Sequence, residues 1–303
     1  MSSSSAPDAA SGPRPARSLR PAIYFVGLAA VAYAAWLAVE RGIPSSLIVL
    51  SALLLTAGCC LVMERLIPLQ RRWQAARGDL LTDSLHALFS NSLAGAGRVL
   101  AATIVARGSG GWTIKLAIWP VGWPLPLQLA LALLCVELAA YFLHLAQHHS
   151  QALWRVHAVH HSASRLYWLN QLRNHPLDSL WTGCALIPPV LMGAPPTLVT
   201  VLLALMSAGL MLQHANLDLR MGRLGAVLNL AEAHAWHHSA SVAEASCNYG
   251  GLLLVFDRLF GTYRRPPAEA SPPTLGLAAS PDFPAGYIGQ LAAPFEPSLW
   301  PRR

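Results

Sequence analysis

The sequence predicts an all-helical bundle integral to a membrane, with a histidine-rich helical cap on the cytoplasmic side. Three observations carry that reading. Charged residues make up 12% of the chain against 54% hydrophobic, about half the charge of a soluble domain, so much of the surface is suited to lipid. Ala22 to Val39 and Ser46 to Met63 are free of charged residues, and each is close to the roughly twenty residues that cross hydrocarbon. Finally, histidines recur in three clusters at helical spacing.

The elements follow in order. Residues 1–20, rich in Ser, Pro, Ala and Arg, are expected to be disordered, and 21–263 to form one membrane-embedded domain. Glu40 to Pro44 turns the first two runs into a transmembrane hairpin. Arg14, Arg17 and Arg20 precede it, and Arg65, Arg71, Arg72 and Arg77 follow it. An excess of arginine marks the cytoplasmic side, so both ends of the hairpin are expected there. Leu85 to Ala106 is a weaker third span, interrupted by Arg98, and Arg107 to Pro126 is its outer loop. Leu127 to Leu143 returns inward. Ala185 to Gln213 is apolar but broken by Pro188-Pro189 and Pro195-Pro196, which predicts a kinked or re-entrant hairpin. Nine prolines from Arg264 onward predict an extended tail over 264–303.

The net charge of +7 comes from scattered arginines. With no basic stripe, no nucleic-acid partner is expected. Five cysteines without C-x-x-C spacing support neither a disulfide framework nor a thiolate metal site.

His144 and His148 lie four apart and share a helical face. His157, His160 and His161 follow at i, i+3 and i+4, and His234, His237 and His238 repeat that spacing. With His214, at the inner end of its apolar run, nine histidines fall at or beyond the cytoplasmic ends of spans. Neutral imidazole suits Zn, Cu, Fe and Ni. Nine ligands are too many for one tetrahedral ion and suit two metals of higher coordination. Two redox-capable metals beside lipid point to oxygen chemistry on a hydrocarbon. A structural zinc site and a metal-ion transporter are the competing readings, although a transporter would place ligands nearer the bilayer middle.

Four further residues bear on the site. His149 faces about 100° away from His148 on a continuing helix and is expected to lie outside the ligand set. His86 has no cluster of its own and is expected at a helix end or supporting a ligand from behind. Glu137, two turns before His144, either orients a ligand histidine or pairs with Arg98. His175, before Pro176, either supports the site or holds the turn.

At these residues the chain resembles the fatty acid hydroxylase / sterol desaturase superfamily of membrane-bound histidine-box di-iron oxygenases. The resemblance runs from about Thr82 to Tyr263. It rests on H-x-x-x-H at His144, W-R-x-H-x-x-H-H-S from Trp154 to Ser162, R-N-H-P at Arg173 and Q-H-A-N at Gln213. H-x-x-H-H at His234, N-Y-G at Asn248 and F-D-R-L-F-G-T-Y ending at Tyr263 complete it. It implies two iron ions on these histidines, with zinc as a possible substitute, and O2 as co-substrate for hydroxylation or desaturation of a membrane lipid or sterol-like chain. It also implies that Asn248 to Gly250 and Asp257 to Tyr263 pack near the site. Leu145 stands where the first box often has Arg, and Glu137 where the upstream acid is often Asp. The oxidation needs two electrons, and no haem, cluster or flavin signature is present. A separate ferredoxin or cytochrome with its reductase is therefore the expected donor.

Overall fold

Proline and glycine set the ends of the first two helices. In the computed structural model, which describes residues 20–93, 95, 116–219, 221–265 and 273–300, α1 spans Arg20–Glu40 with Pro21 in its first turn. Gly42 turns the chain at φ 72°, and Pro44 precedes α2, Ser45–Leu66. Leu80–Leu85 forms α3, which runs on through a single π turn, His86–Ser90. α4 is Leu125–His149 and α5 is Gln151–His161, with Ser150 extended between them. Next come α6 (Pro176–Gly183), α7 (Ile187–Met192) and α8 (Pro196–His214). The third histidine box opens in α9 (Ala231–His237), followed by α10 (Val242–Ala245), α11 (Val255–Phe260) and α12 (Tyr287–Ala292).

Among the described residues, α1, α2, α4 and α8 are long and apolar enough to cross a membrane, at 21, 22, 25 and 19 residues. β pairing among them is limited to isolated bridges. Half of the apolar window of α8 is buried, against 11% for α1, so α8 is the central helix and α1 faces outward. The ends of the spans sort to two sides. At one, Arg20 pairs with Asp218 at 3.0 Å, and Glu64 accepts the backbone N–H groups of Asn216 and Trp168 at 2.9 and 2.8 Å. At the other, Thr200 donates to Ser45 at 2.8 Å. The histidines all gather at the first side.

Two expectations are revised by these elements, and a third is reached only in part. The proline-broken stretch is a short helix, α7, and a full-length one, α8, separated by Gly193 at φ 95°. Only the second arm has spanning length, since six residues rise about 9 Å. The weaker third span is helical through 93 and at 95; the rest of it, with Arg98 and residues 107–115 of the outer loop, lies outside the described residues, as do 1–19. Finally, the described part of the tail is folded rather than extended. Leu275 is buried beside Leu69, Trp73 and Leu166, Gln290 is buried against His86, and Pro294 and Pro297 start 3₁₀ turns. A proline count sees the helix breakers and overlooks these anchors.

Candidate metal centre

α4 runs past the end of its span and carries His144 and His148 beyond it. After the break at Ser150, α5 doubles back with His157, His160 and His161. His214 closes α8, and α9 brings His234 and His237, with His238 as its C-cap. The nine imidazoles form two groups. His144, His148, His157, His161 and His237 make one, and His160, His214, His234 and His238 the other. Within each group the candidate ligand atoms lie within 4.8 Å of one another. Each three-histidine box is split: its i, i+4 pair serves one group and its i+3 residue the other. His161 and His238 stack between the groups with ring centroids 4.3 Å apart.

Oxygen acceptors set the tautomers of five rings. Nδ1 of His144 donates to the carbonyl of Tyr249 at 2.7 Å, and that of His157 to the Asp178 carboxylate at 3.2 Å. Nδ1 of His160 donates to the carbonyl of Arg173 at 3.3 Å, that of His214 to Leu210 at 3.1 Å, and that of His237 to Cys247 at 2.8 Å. A neutral ring that donates from Nδ1 has its lone pair at Nε2. Yet Nε2 of His144 faces Nε2 of His157 at 3.1 Å, and Nε2 of His214 faces that of His160 at 3.1 Å. Two lone pairs cannot hydrogen-bond to each other. The arrangement fits a cation held at about 2.0–2.1 Å from each nitrogen.

At His160, His161, His234, His237 and His238 the alternative, charged imidazolium, is disfavoured. Burial first, then neighbouring imidazoles, hold His160, His161, His234 and His238 well below the usual histidine range. Burial brings His237 down to about 3. Buried Nε2 of His148 and His237 and Nδ1 of His234 and His238 have no hydrogen-bond partner among the described residues. Neutral, buried and converging donors are what a metal site requires. Beside the first group lies a cavity of about 90 Å³ that reaches His148 and His161 and is walled by Trp154, Ser239, Leu277 and Trp300.

The family profile for fatty acid hydroxylases matches residues 129–262. The ornithine lipid hydroxylase OlsE of Rhizobium tropici is 32% identical over 245 residues, covering 79% of this chain and 73% of that protein. The chain belongs to the fatty acid hydroxylase family. Alkylglycerol monooxygenases of Danio rerio and Homo sapiens are 29% and 27% identical over 44% and 46% of the chain. The chain spans about a third of their length, at 30% and 32%. No solved structure matches the chain.

Other residues of this fatty acid hydroxylase family member fall near the site without entering either group. His149 is exposed, as the helical angle required. Glu137 bonds no histidine. Its carboxylate accepts the N–H groups of Leu252 and Leu253 at 2.8 and 3.0 Å, so it fixes the segment whose Tyr249 carbonyl orients His144. Glycine is obligatory on that segment: a Cβ at Gly250 would lie 2.0 Å from the Leu253 carbonyl, and one at Gly251 2.7 Å from Glu137 Oε1. Asn248 takes the left-handed conformation at φ 55°, which asparagine tolerates better than most. It exchanges bonds with the backbone of Arg264 and donates to the Ala233 carbonyl, tying α9 in place.

His175 holds the turn, its Nδ1 accepting from Leu177 N–H at 3.2 Å, and its Nε2 reaches the Leu291 carbonyl. His86 lies in the π turn, bonded to Gln290, Ser90 and the Asn174 carbonyl. Asp257 accepts from the N–H groups of Tyr249 and Gly250. Sequence reasoning missed Asp178, which receives both His157 and Gln147. It is the only acid between Glu137 and Asp218, and that isolation among histidines was the available signal.

Proposed function

We propose that this chain is a membrane-bound non-haem di-iron hydroxylase that inserts one oxygen atom of O2 into a C–H bond of a lipid chain. The observation that carries this reading is the gathering of nine imidazoles into two groups whose candidate ligand atoms lie within 4.8 Å of one another, with Nε2 of His160 facing Nε2 of His214 and no proton between them. Two bound irons would supply the O2 chemistry that an unactivated C–H bond needs. The chain's own part is to gather nine imidazoles, to keep those of His160, His161, His234, His237 and His238 neutral by burial, to orient five of the nine through carbonyls and Asp178, and to hold the centre at the ends of four apolar helices, where a lipid chain can reach it. Hydroxylation rather than desaturation is proposed because the relatives are named hydroxylases and monooxygenases.

Overall, one C–H bond, O2, two electrons and two protons give an alcohol and water. The electrons come from a separate ferredoxin or cytochrome with its reductase, docking on the side that bears Arg65, Arg71, Arg72 and Arg77. That side is the cytoplasm by its arginine excess.

The test is purification from iron-supplemented cells, elemental analysis, and turnover with extracted lipids. About two irons per chain, or two zincs after displacement, and a product heavier by one oxygen atom are expected only when a reduced carrier is added. Metal-free protein, or steady turnover on NADH alone, would refute the centre or the donor respectively. In a cysteine-free background, an impermeant thiol reagent should reach Arg41→Cys from outside the cell and leave Ser241→Cys unlabelled; the reverse would invert the topology.

A further inference from the structure

Two acids one turn apart at the start of α3 grip the loop that follows α5. Asp79 takes a forked pair from Arg165, with Nε 2.6 Å from Oδ2 and Nη2 2.8 Å from Oδ1. Asp83, wholly buried, receives Nε of Arg173 on one oxygen and the hydroxyl of Tyr167 on the other. The first pair ties down the loop. The second reaches the histidines.

Arg173 donates from Nη1 to the hydroxyl of Ser162 at 3.1 Å, and Ser162 donates to the Val159 carbonyl at 2.7 Å, bracing the end of α5. The backbone carbonyl of the same Arg173 accepts from Nδ1 of His160 at 3.3 Å. One buried arginine therefore holds both the helix end that carries His160 and the tautomer of its ring. A buried guanidinium is costly unless an anion faces it, and Asp83 supplies that anion.

The contrast with the other group is informative. His157 has a carboxylate of its own, Asp178, in direct contact. Among the described residues, the hydrogen bonds of the four-histidine group run to carbonyls and to one another, and Asp83 reaches it through Arg173. Asp83 lies outside residues 129–262, the part that matches the family profile.

We infer that Asp83 is a positioning residue for the four-histidine group, fixing His160 through Arg173. The inference rests on the reading that each group holds a metal. Removing such an outer partner lowers metal affinity about 10–100-fold. The effect belongs to one metal, because the five-histidine group is oriented by Tyr249, Asp178 and Cys247.

The experiment uses full-length protein in detergent, loaded with Zn2+ and challenged with increasing chelator, with retained metal counted by elemental analysis. Wild-type protein should release two metals. Asp83→Asn should release one of them at least about ten-fold more readily and keep the other. On a His160→Ala background, D83N should add nothing, because the partner it acts through is gone. Asp83→Asn leaves Arg173 unpaired and can block folding, so Ser162→Ala provides a second route. It spares the ion pair, removes only the brace on α5, and should weaken the same metal by a smaller factor.

Folded D83N with both metals at wild-type affinity would overturn the inference. So would equal weakening of both metals, a full additional loss on the His160→Ala background, or, where D83N does not fold, unchanged affinity in S162A. Wild-type protein with fewer than two metals would refute the two-group reading itself, and this inference with it.

Discussion

The two histidine groups share α5 and α9 yet differ in their third helix, in exposure and in support. The five-histidine group draws on α4, α5 and α9, meets a cavity through His148 and His161, and has a carboxylate on His157. The four-histidine group draws on α5, α8 and α9. It is buried throughout, and carbonyls orient His160 and His214. On the proposed reading, the group that meets the cavity would be the one that substrate approaches, and the buried group would complete the pair. The split of each box across the groups makes their separation a matter of one helical turn.

The largest expected effect comes from removing one ligand from each group. His237→Ala and His160→Ala should each abolish turnover and lower the metal content towards one per chain, as measured by elemental analysis and lipid product formation. Loss of both metals in both variants would show one cooperative unit instead of two groups.

Asp178→Asn comes next. It keeps the shape and removes the charge facing His157, and should weaken one metal about 10–100-fold while the other stays. Chelator titration separates the two, and uniform weakening would erase the distinction drawn above.

A smaller effect is expected in acid. Unfolded histidines titrate near 6.5, whereas burial holds His237 down to about 3 and keeps His160, His161, His234 and His238 well below the usual range. Between those limits the unfolded chain binds more protons than the folded one. The stability these groups contribute is therefore complete above about 6.5 and is lost as pH falls towards 3. The Tm of metal-free protein should drop between pH 7.5 and 5, and a flat profile would mean that these rings are not buried neutral. Bound metal should raise the Tm at pH 7.5 by mass action.

The smallest effect tests the border of the site. His149→Ala should change neither metal content nor turnover, and should shift stability by no more than about 0.5 kcal/mol. A clear loss of metal would place His149 inside the first group.

The helical spans and the histidine boxes were legible in the residues, because both are local. Charge-free runs report solvent preference over about twenty residues, and imidazoles three and four apart report one face of a helix. That reasoning anticipated α1, α2 and α4, placed His214 at a span end, and set His149 aside. The nine histidines could also be counted, and the structure gathers them into two groups.

What tertiary structure decided is everything that depends on distant segments meeting. Which histidines share a group follows from how α5, α8 and α9 converge, and no spacing rule divides His157 and His161 from His160. Glu137 was read as a partner of a histidine or of Arg98; it holds Leu252 and Leu253, 115 and 116 residues away. Asp83, Asp178 and Arg173 act across gaps that sequence periodicity does not encode. The tail after Arg264 was judged by its prolines, while its place is set by Leu275 and Gln290, each held against residues far off in the chain. Local spacing determines which face a side chain takes, but only the packed chain determines what that face meets.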